Sequence, residues 1–258
     1  RREPALSPTL RLALDVPGDH AIDPRALSAA LAVAVERAGG VLREHAPVAR
    51  VALSDDGERV AGVELAAQDG RARGERVAAD QVVVAAGAWA GTLDGIPAHA
   101  RVPVRPVKGQ IMRLRDPAGP GLLTRVVRMQ PGYLVPRGDG RYVLGATMEE
   151  QGFDTAPTAG GIFELLRDAI ELVPGVSELH VEEVAAGLRP ATPDNAPVLG
   201  RGALGGLQWA AGCFRHGILL APVVADALAA TLAGEPLPAV AQPFAAERFA
   251  SAREAVPT

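Results

Sequence analysis

The segment from Gly187 to Asp194 places an arginine, Arg189, between an apolar run and a turn rich in proline and threonine. The run Val184–Leu188 is predicted to be largely buried, and a buried guanidinium needs an anionic partner or several acceptors. A ligand carboxylate held through two parallel hydrogen bonds would meet that need. A structural ion pair with Asp194 would meet it equally well, and the residues alone leave both alternatives open.

A second segment, from Ala210 to Leu220, runs from a predicted strand through a glycine-containing turn into a predicted helix. The first N–H groups of a helix lack intrahelical acceptors, and the dipole at that end stabilises a nearby negative charge by roughly 0.3–2 kcal/mol. The turn also holds the only cysteine of the chain, Cys213. We interpret Cys213 as a packed small apolar residue rather than a nucleophile, which is the more common role of a lone cysteine.

Two glycine-containing segments differ in what they are able to bind. In Val82–Gly91 an apolar run ends in Ala-Gly-Ala, whose minimal side chains let the backbone approach a flat or phosphorylated ligand. A buried strand that simply leaves its sheet explains the same residues. Gly200–Gly205 matches the dinucleotide-binding fingerprint, but the residues after it predict a strand where the motif requires a helix, so we reject it. The histidines are scattered, and no metal site is predicted.

The predicted elements that position these segments change in type along the chain. Both ends alternate helices with apolar strands, which is typical of an α/β layer, and the middle contains antiparallel strands. We predict an α/β domain from residues 24–100 and 191–258, with an antiparallel β domain from residues 1–23 and 101–190 inserted between its two segments. Pro222 is expected in the first turn of the last helix, where a missing N–H costs least. The predicted strands are 48–53, 60–65, 82–86, 102–114, 133–136, 142–146 and 207–211, and the predicted helices are 23–39, 159–172 and 218–232.

Composition excludes several classes of protein. The net charge is −4 without a basic run, which argues against a nucleic-acid or anionic-membrane partner. No apolar run approaches the ~20 residues that span a bilayer. A single cysteine excludes an internal disulfide and fits a reducing, cytoplasmic location. Because the chain does not begin with methionine, we expect that the start of the coding sequence is absent.

Together these segments resemble the D-amino-acid-oxidase-like family of FAD enzymes, over nearly the whole chain. The family's late motifs are matched by residues 83–89, 187–194 and 212–222, and those typical of its glycine oxidase branch by residues 104–110, 132–137 and 143–148. The resemblance implies an incomplete Rossmann-like FAD-binding domain, of mixed α/β and α+β class, with an inserted antiparallel-sheet substrate domain. The family's N-terminal Gly-x-Gly-x-x-Gly unit is expected to be missing, so this chain alone should bind FAD weakly or not at all.

The resemblance also assigns roles to individual residues. Tyr133 and Arg189 would bind the substrate carboxylate, and Arg215 and Met148 would line the same pocket beside the flavin. The cofactor contacts it implies are Val48, Ala86, Gly87, Trp89, Gly187, His216, Gly217, Ile218 and Leu219. FAD is expected to be noncovalent, because residues 185–191 lack the cysteine through which the sarcosine-oxidase branch attaches its flavin.

The implied activity is oxidation of glycine or a similarly small amino acid or amine by O2, with release of ammonia and H2O2, in the service of thiamine thiazole synthesis. A D-amino-acid or sarcosine-type enzyme of the same family is an alternative. Two others are an inactive fragment without FAD and a subunit of a heteromeric dehydrogenase. The expected partners are the small substrate and O2, with a homo-oligomer possible.

Overall fold

A computed structural model describes residues 3–67, 74–130 and 132–249. The ends of the predicted domain segments, residues 1–2 and 250–258, lie outside this description, as do residues 68–73 and 131 within them. The helices are α1 (Pro24–Arg37), α2 (Ala159–Leu172) and α3 (Gly217–Leu232). The strands are β1 (Val48–Leu53), β2 (Val60–Leu65), β3 (Arg76–Ala78), β4 (Val82–Val84), β5 (Arg105–Arg115), β6 (Val127–Arg128), β7 (Tyr133–Pro136), β8 (Arg141–Gly145), β9 (His180–Ala191), β10 (Val198–Arg201) and β11 (Leu207–Ala211).

The chain divides into two compact units. Unit 1 comprises Arg1–Gly40 and Val107–Leu188, and unit 2 comprises Val41–Pro106 and Arg189–Thr258. The division falls inside β5 and β9, and it groups residues 24–40 with unit 1, whereas the sequence assigned them to the cofactor-binding domain. The functional roles of the two domains stay predictions.

Unit 1 is built around a five-stranded sheet of order β6-β7-β8-β5-β9, and its β5–β8, β7–β8 and β6–β7 pairs are antiparallel. Helix α2 begins at an N-cap threonine, Thr158, whose hydroxyl accepts from the N–H of Gly161. Its buried residues Leu165 and Ala169 pack against the sheet core. That core comprises Met112, Leu114, Leu123, Leu134, Tyr142, Leu144, Leu165, Ala169, Val173 and Val176. The antiparallel sheet and the helix predicted for the middle of the chain are therefore present, and unit 1 also includes α1.

Helix α1 follows the start and stop signals of its sequence. The Asp23 carboxylate accepts from two first-turn N–H groups, Pro24 occupies the first helical position, and Gly39 follows the end with a positive φ of 85°. None of its residues is buried among the described residues. The ends of α1 are therefore defined by its capping residues, although the helix has no buried face.

Unit 2 contains two three-stranded sheets. One has the order β1-β2-β3, in which β1 and β2 form the predicted hairpin, and Gly57 takes a φ of 75° in the turn. The other has the order β10-β11-β4, with β11 antiparallel to β10 and parallel to β4. Fully buried Trp209 and Val198 anchor the core, and α3 packs on β10 and β11.

Two sequence predictions for unit 2 need correction, and a third is confirmed. The predicted strand 82–86 is only three residues long, and Val83 is 37% exposed, because β4 is the last described strand of its sheet. Pro222 lies in the second turn of α3 rather than the first. Residues 202–206 connect the antiparallel strands β10 and β11, and the strand predicted after Gly205 is confirmed, so no helix follows the glycines as a dinucleotide fingerprint requires. Among the described residues, no helix is both long enough and apolar enough to cross a membrane.

Candidate functional site

Tyr133, a predicted substrate-binding residue, is held in unit 1 by a glycine on the neighbouring strand. Tyr133 pairs with Gly145 in the β7–β8 register. A Cβ added to Gly145 would lie 2.8 Å from the Tyr133 hydroxyl oxygen and 2.9 Å from Ile111 Cγ2. Only glycine at position 145 therefore leaves room for the half-buried tyrosine ring to lie across β8.

Met148, predicted to line the same pocket, follows β8 by three residues. It is 64% exposed, although the preceding Thr147 is buried. The side chains on either side of Met148 belong to a polar cluster, in which the Thr147 hydroxyl donates to the carboxylate of Glu149. Unit 1 thus carries both residues, with Tyr133 at the start of β7 and Met148 shortly after the end of β8.

Arg189 lies at the carboxyl end of β9, in unit 2. The Val184–Leu188 run before it is half-buried or exposed rather than largely buried, and Arg189 itself is half-buried. The expectation of a buried guanidinium is therefore wrong. The cause is the position of β9 as the last strand of its sheet, with neighbours on one side only among the described residues.

A hydrogen bond joins the segments that carry the two predicted arginines of unit 2. The N–H of Phe214 donates to the Pro190 carbonyl at 2.9 Å. Arg189 and Arg215 each adjoin one partner of this bond, so the structure brings their backbones together. Arg215 is exposed, in keeping with a side chain that reaches a ligand.

The Thr192-Pro193-Asp194 turn next to Arg189 is fixed by contacts that the sequence did not reveal. Buried Thr192 donates from Oγ1 to Asp194 Oδ1 at 2.9 Å and to the Ala196 carbonyl at 2.8 Å. Arg248, from near the end of the described chain, donates from Nε to Asp194 Oδ2 at 3.2 Å. Partial burial raises the pKa of Asp194, but bonds from Arg248, Ala196 N–H and Thr192 outweigh it and lower the pKa to about 2. A charged Asp194 paired with Arg248 is therefore a structural part of this turn.

The start of α3 presents backbone donors, as predicted. Helix α3 has no side-chain cap at its N-cap residue His216. The first-turn N–H groups of Gly217, Ile218 and Leu219 have no acceptors within the helix. All three residues are exposed. In the preceding turn, burial raises the pKa of Cys213, which fits its interpretation as an unreactive thiol.

A cavity of about 490 Å³ adjoins β4 in unit 2. Its walls include Val48, Ala86 and Trp89, three of the predicted cofactor contacts. Gly87 turns away after β4 with a φ of 53°, and a Cβ there would meet no atom within 4 Å. The cavity is lined mainly by small and apolar side chains, and a flat purine ring with its sugar fits that chemistry. The lining is compatible with the adenosine contacts that the resemblance implies, and those contacts stay a prediction.

The predicted site residues fall into two sets. Unit 1 holds Tyr133, Met148 and Gly187, and unit 2 holds Arg189, Arg215 and the remaining cofactor residues. A smaller cavity of about 460 Å³ in unit 2, lined in part by His99 and Arg101, had no sequence signal. Among the described residues, no group of three or more histidine, cysteine or acidic side chains is arranged to hold a metal.

Comparison with known proteins identifies the family. A family model described as FAD dependent oxidoreductase matches residues 1–231. The chain is 37% identical over 236 residues to the bifunctional protein ThiO/ThiG of Synechocystis sp. The aligned region covers 90% of this chain and 34% of that protein. It is 34% identical over 251 residues to the hydrogen cyanide synthase subunit HcnC of Pseudomonas aeruginosa, covering 96% of this chain and 58% of that protein.

The structure shows the same relationship. The crystal structure of glycine oxidase from Geobacillus kaustophilus matches with a TM-score of 0.82 at 34% identity, covering 95% of this chain and 64% of that one. The fold is thus that of the FAD-dependent oxidases, as the sequence predicted. The chain spans between 34% and 64% of the length of these three proteins.

Proposed function

The chain belongs to the FAD dependent oxidoreductase family, and on that premise we propose that it serves the oxidative deamination of glycine or a similarly small amine. In the proposed reaction, glycine, O2 and water give glyoxylate, ammonia and H2O2. The observation that carries the proposal is the Phe214–Pro190 hydrogen bond, which joins the segment of Arg189 to the turn that leads into α3. The relatives named glycine oxidase and ThiO/ThiG support the same substrate class and a role in thiamine biosynthesis.

The side chains of this protein would bind and orient the substrate. Arg189 would pair with its carboxylate, with Tyr133 as a second donor, and Arg215 and Met148 would line the pocket. Bound FAD supplies the acceptor for the two electrons removed from the substrate. The N–H groups at the start of α3 would stabilise negative charge beside them. Once the substrate amine is neutral, no side chain with a shifted pKa is needed as a base.

Replacing Arg189 by alanine tests the carboxylate role. In assays with FAD added in excess, we expect kcat/KM for glycine to fall by a factor equivalent to roughly 2–5 kcal/mol, because the carboxylate loses its charged anchor. Arg167→Ala is the control, because Arg167 is an exposed residue of α2 paired with Asp168. H2O2 and glyoxylate are measured together. An unchanged kcat/KM in Arg189→Ala would remove Arg189 from the site.

A dehydrogenase subunit is the second candidate, and the relative named as a subunit, HcnC, favours it. The two candidates differ in their electron acceptor. An oxidase forms H2O2 from glycine in stoichiometric amounts, whereas a dehydrogenase reduces a dye and consumes little O2. Glycine, sarcosine and D-alanine are compared in both assays, and dye reduction without H2O2 would favour the subunit.

Binding of FAD to the 258-residue chain itself separates an enzyme from a fragment that only shares the fold. The sequence contains no glycine-rich strand–turn–helix unit for the pyrophosphate. We therefore expect weak binding in a titration followed by flavin fluorescence. Purification of the chain with one FAD bound per molecule would contradict this expectation.

A further inference from the structure

We propose that Gln110 is a positioning residue, which fixes the backbone on both sides of Met148 and so sets the fit of the substrate. The inference rests on the proposed place of Met148 in the substrate pocket. It concerns unit 1 alone, and its geometry involves residues 108–110 of β5, residues 147–149 and the start of α2.

Gln110 is fully buried, and the described contacts use both its backbone and its side chain. Its N–H donates to Thr147 Oγ1 at 2.9 Å, and its carbonyl accepts from Thr147 N–H at 3.3 Å. Its side-chain amide donates to Glu149 Oε1 at 2.8 Å and to Thr158 Oγ1 at 3.0 Å, and accepts from Thr158 N–H at 2.8 Å. Gln110 therefore holds Thr147 through its backbone, and its buried side-chain amide links Glu149 to the N-cap of α2.

These bonds determine the direction of Met148. Glu149 also exchanges two backbone hydrogen bonds with Lys108, at 2.9 and 3.0 Å, so residues 147–149 run as a short antiparallel extension beside β5. Successive side chains of an extended strand point to opposite faces. Because Thr147 is buried and Glu149 reaches the Gln110 amide, Met148 is turned to the opposite face, where it is 64% exposed.

A glycine of α2 closes the same cluster from the other side. A Cβ added to Gly161 would lie 2.4 Å from Gln110 Nε2 and 2.7 Å from Gln110 Cδ. A Cβ added to the preceding Gly160 would meet no atom within 4 Å. Both positions lie in the first turn of α2, and alanine is the better helix former at either. The chain therefore offers a matched pair, in which Gly161→Ala displaces the Gln110 amide and Gly160→Ala does not.

Methyl NMR tests the positioning without any activity. The chain has three methionines, Met112, Met129 and Met148, so methyl-labelled methionine gives a short spectrum that Met148→Leu assigns. In Gly161→Ala and in Gln110→Leu we expect the Met148 resonance to shift or split, while that of buried Met112 stays in place. Gly160→Ala should match the wild type. An unmoved Met148 resonance in both folded variants would overturn the proposal.

Kinetics measured with FAD added in excess test the consequence for the substrate. Misplacing a pocket residue by about 1 Å costs up to about 100-fold in catalytic efficiency, so Gly161→Ala should raise KM for glycine and change the glycine-to-sarcosine preference. A purely structural defect would lower the amount of active enzyme and leave KM and the preference unchanged. Equal preferences in Gly160→Ala and Gly161→Ala would refute the link to the substrate. If the wild type oxidises no amine, the proposed function fails, and the NMR result still decides the positioning.

Discussion

Arg248→Ala should destabilise unit 2 and make its stability less sensitive to acid. The Arg248 side chain is 19% exposed. It donates from Nε and Nη2 to the two oxygens of Asp194, at 3.2 and 3.3 Å, and from Nη2 to the Ala196 carbonyl at 3.0 Å. It also donates to the Phe244 carbonyl at 3.0 Å. The substitution removes all of these bonds and leaves the turn beside Arg189 without its cation.

The pKa of Asp194 sets the size and the sign of the acid effect. Lowering that pKa from 3.8 to about 2 corresponds to an upper bound of about 2.5 kcal/mol, at 1.36 kcal/mol per unit. Because the Asp194 side chain is 48% exposed, solvent screening reduces this to about 1 kcal/mol. A carboxyl whose pKa is lower in the folded state stabilises it above pH 4, and this contribution is lost as the pH falls towards 2, about half of it by pH 3.

Urea unfolding at pH 7 and pH 3 measures both parts of the prediction. At pH 7 we expect Arg248→Ala to lose about 2 kcal/mol of unfolding free energy, since charged hydrogen bonds to the carbonyls are lost as well. At pH 3 the deficit relative to the wild type should be smaller. Arg141→Ala is the control, because Arg141 pairs with Asp139 at the surface and should matter less. An Arg248→Ala deficit that is equal at the two pH values would refute the assigned role of the ion pair.

Two further predictions concern the candidate site. Gly145→Ala should displace the Tyr133 ring, destabilise unit 1 by roughly 1–3 kcal/mol and raise KM for the substrate. Urea unfolding and steady-state kinetics measure these effects. Gly18→Ala is the control, because a Cβ at Gly18 meets no atom within 4 Å, and it should change neither the stability nor KM. Cys213, whose pKa burial raises, should react with iodoacetamide at neutral pH more slowly than a free cysteine; a rate equal to that of a model thiol would contradict its burial.

Elements with strong local signals could be predicted from the sequence. The β1–β2 hairpin has the predicted bounds because its Asp-Asp-Gly turn and its two apolar runs are adjacent in the chain. Helix α2 also has the predicted bounds, since a threonine cap precedes it and an apolar face runs along it. These features depend on residues that are close in sequence, and their signals do not require knowledge of the tertiary fold.

Contacts between distant parts of the chain could not be predicted in this way. The pairing of Arg248 with Asp194 spans 54 residues, and no pattern near Arg248 distinguishes it from the other arginines. The three-residue strand β3 and the two-residue strand β6 are too short to carry a period. The Gln110 cluster was missed because it depends on β5 lying beside residues 147–149, which only the folded sheet brings together.

Because Arg189 is half-buried, its contribution to the free energy of binding a ligand carboxylate should be smaller than that of a fully buried arginine. A guanidinium in a dry interior would require its anionic partner for stability, whereas a half-buried one remains partly hydrated before any ligand arrives. The ligand contact then gains less, because part of its attraction replaces an existing interaction with water. The loss in Arg189→Ala should therefore lie near the lower end of the range, about 2 kcal/mol or roughly 30-fold in kcat/KM.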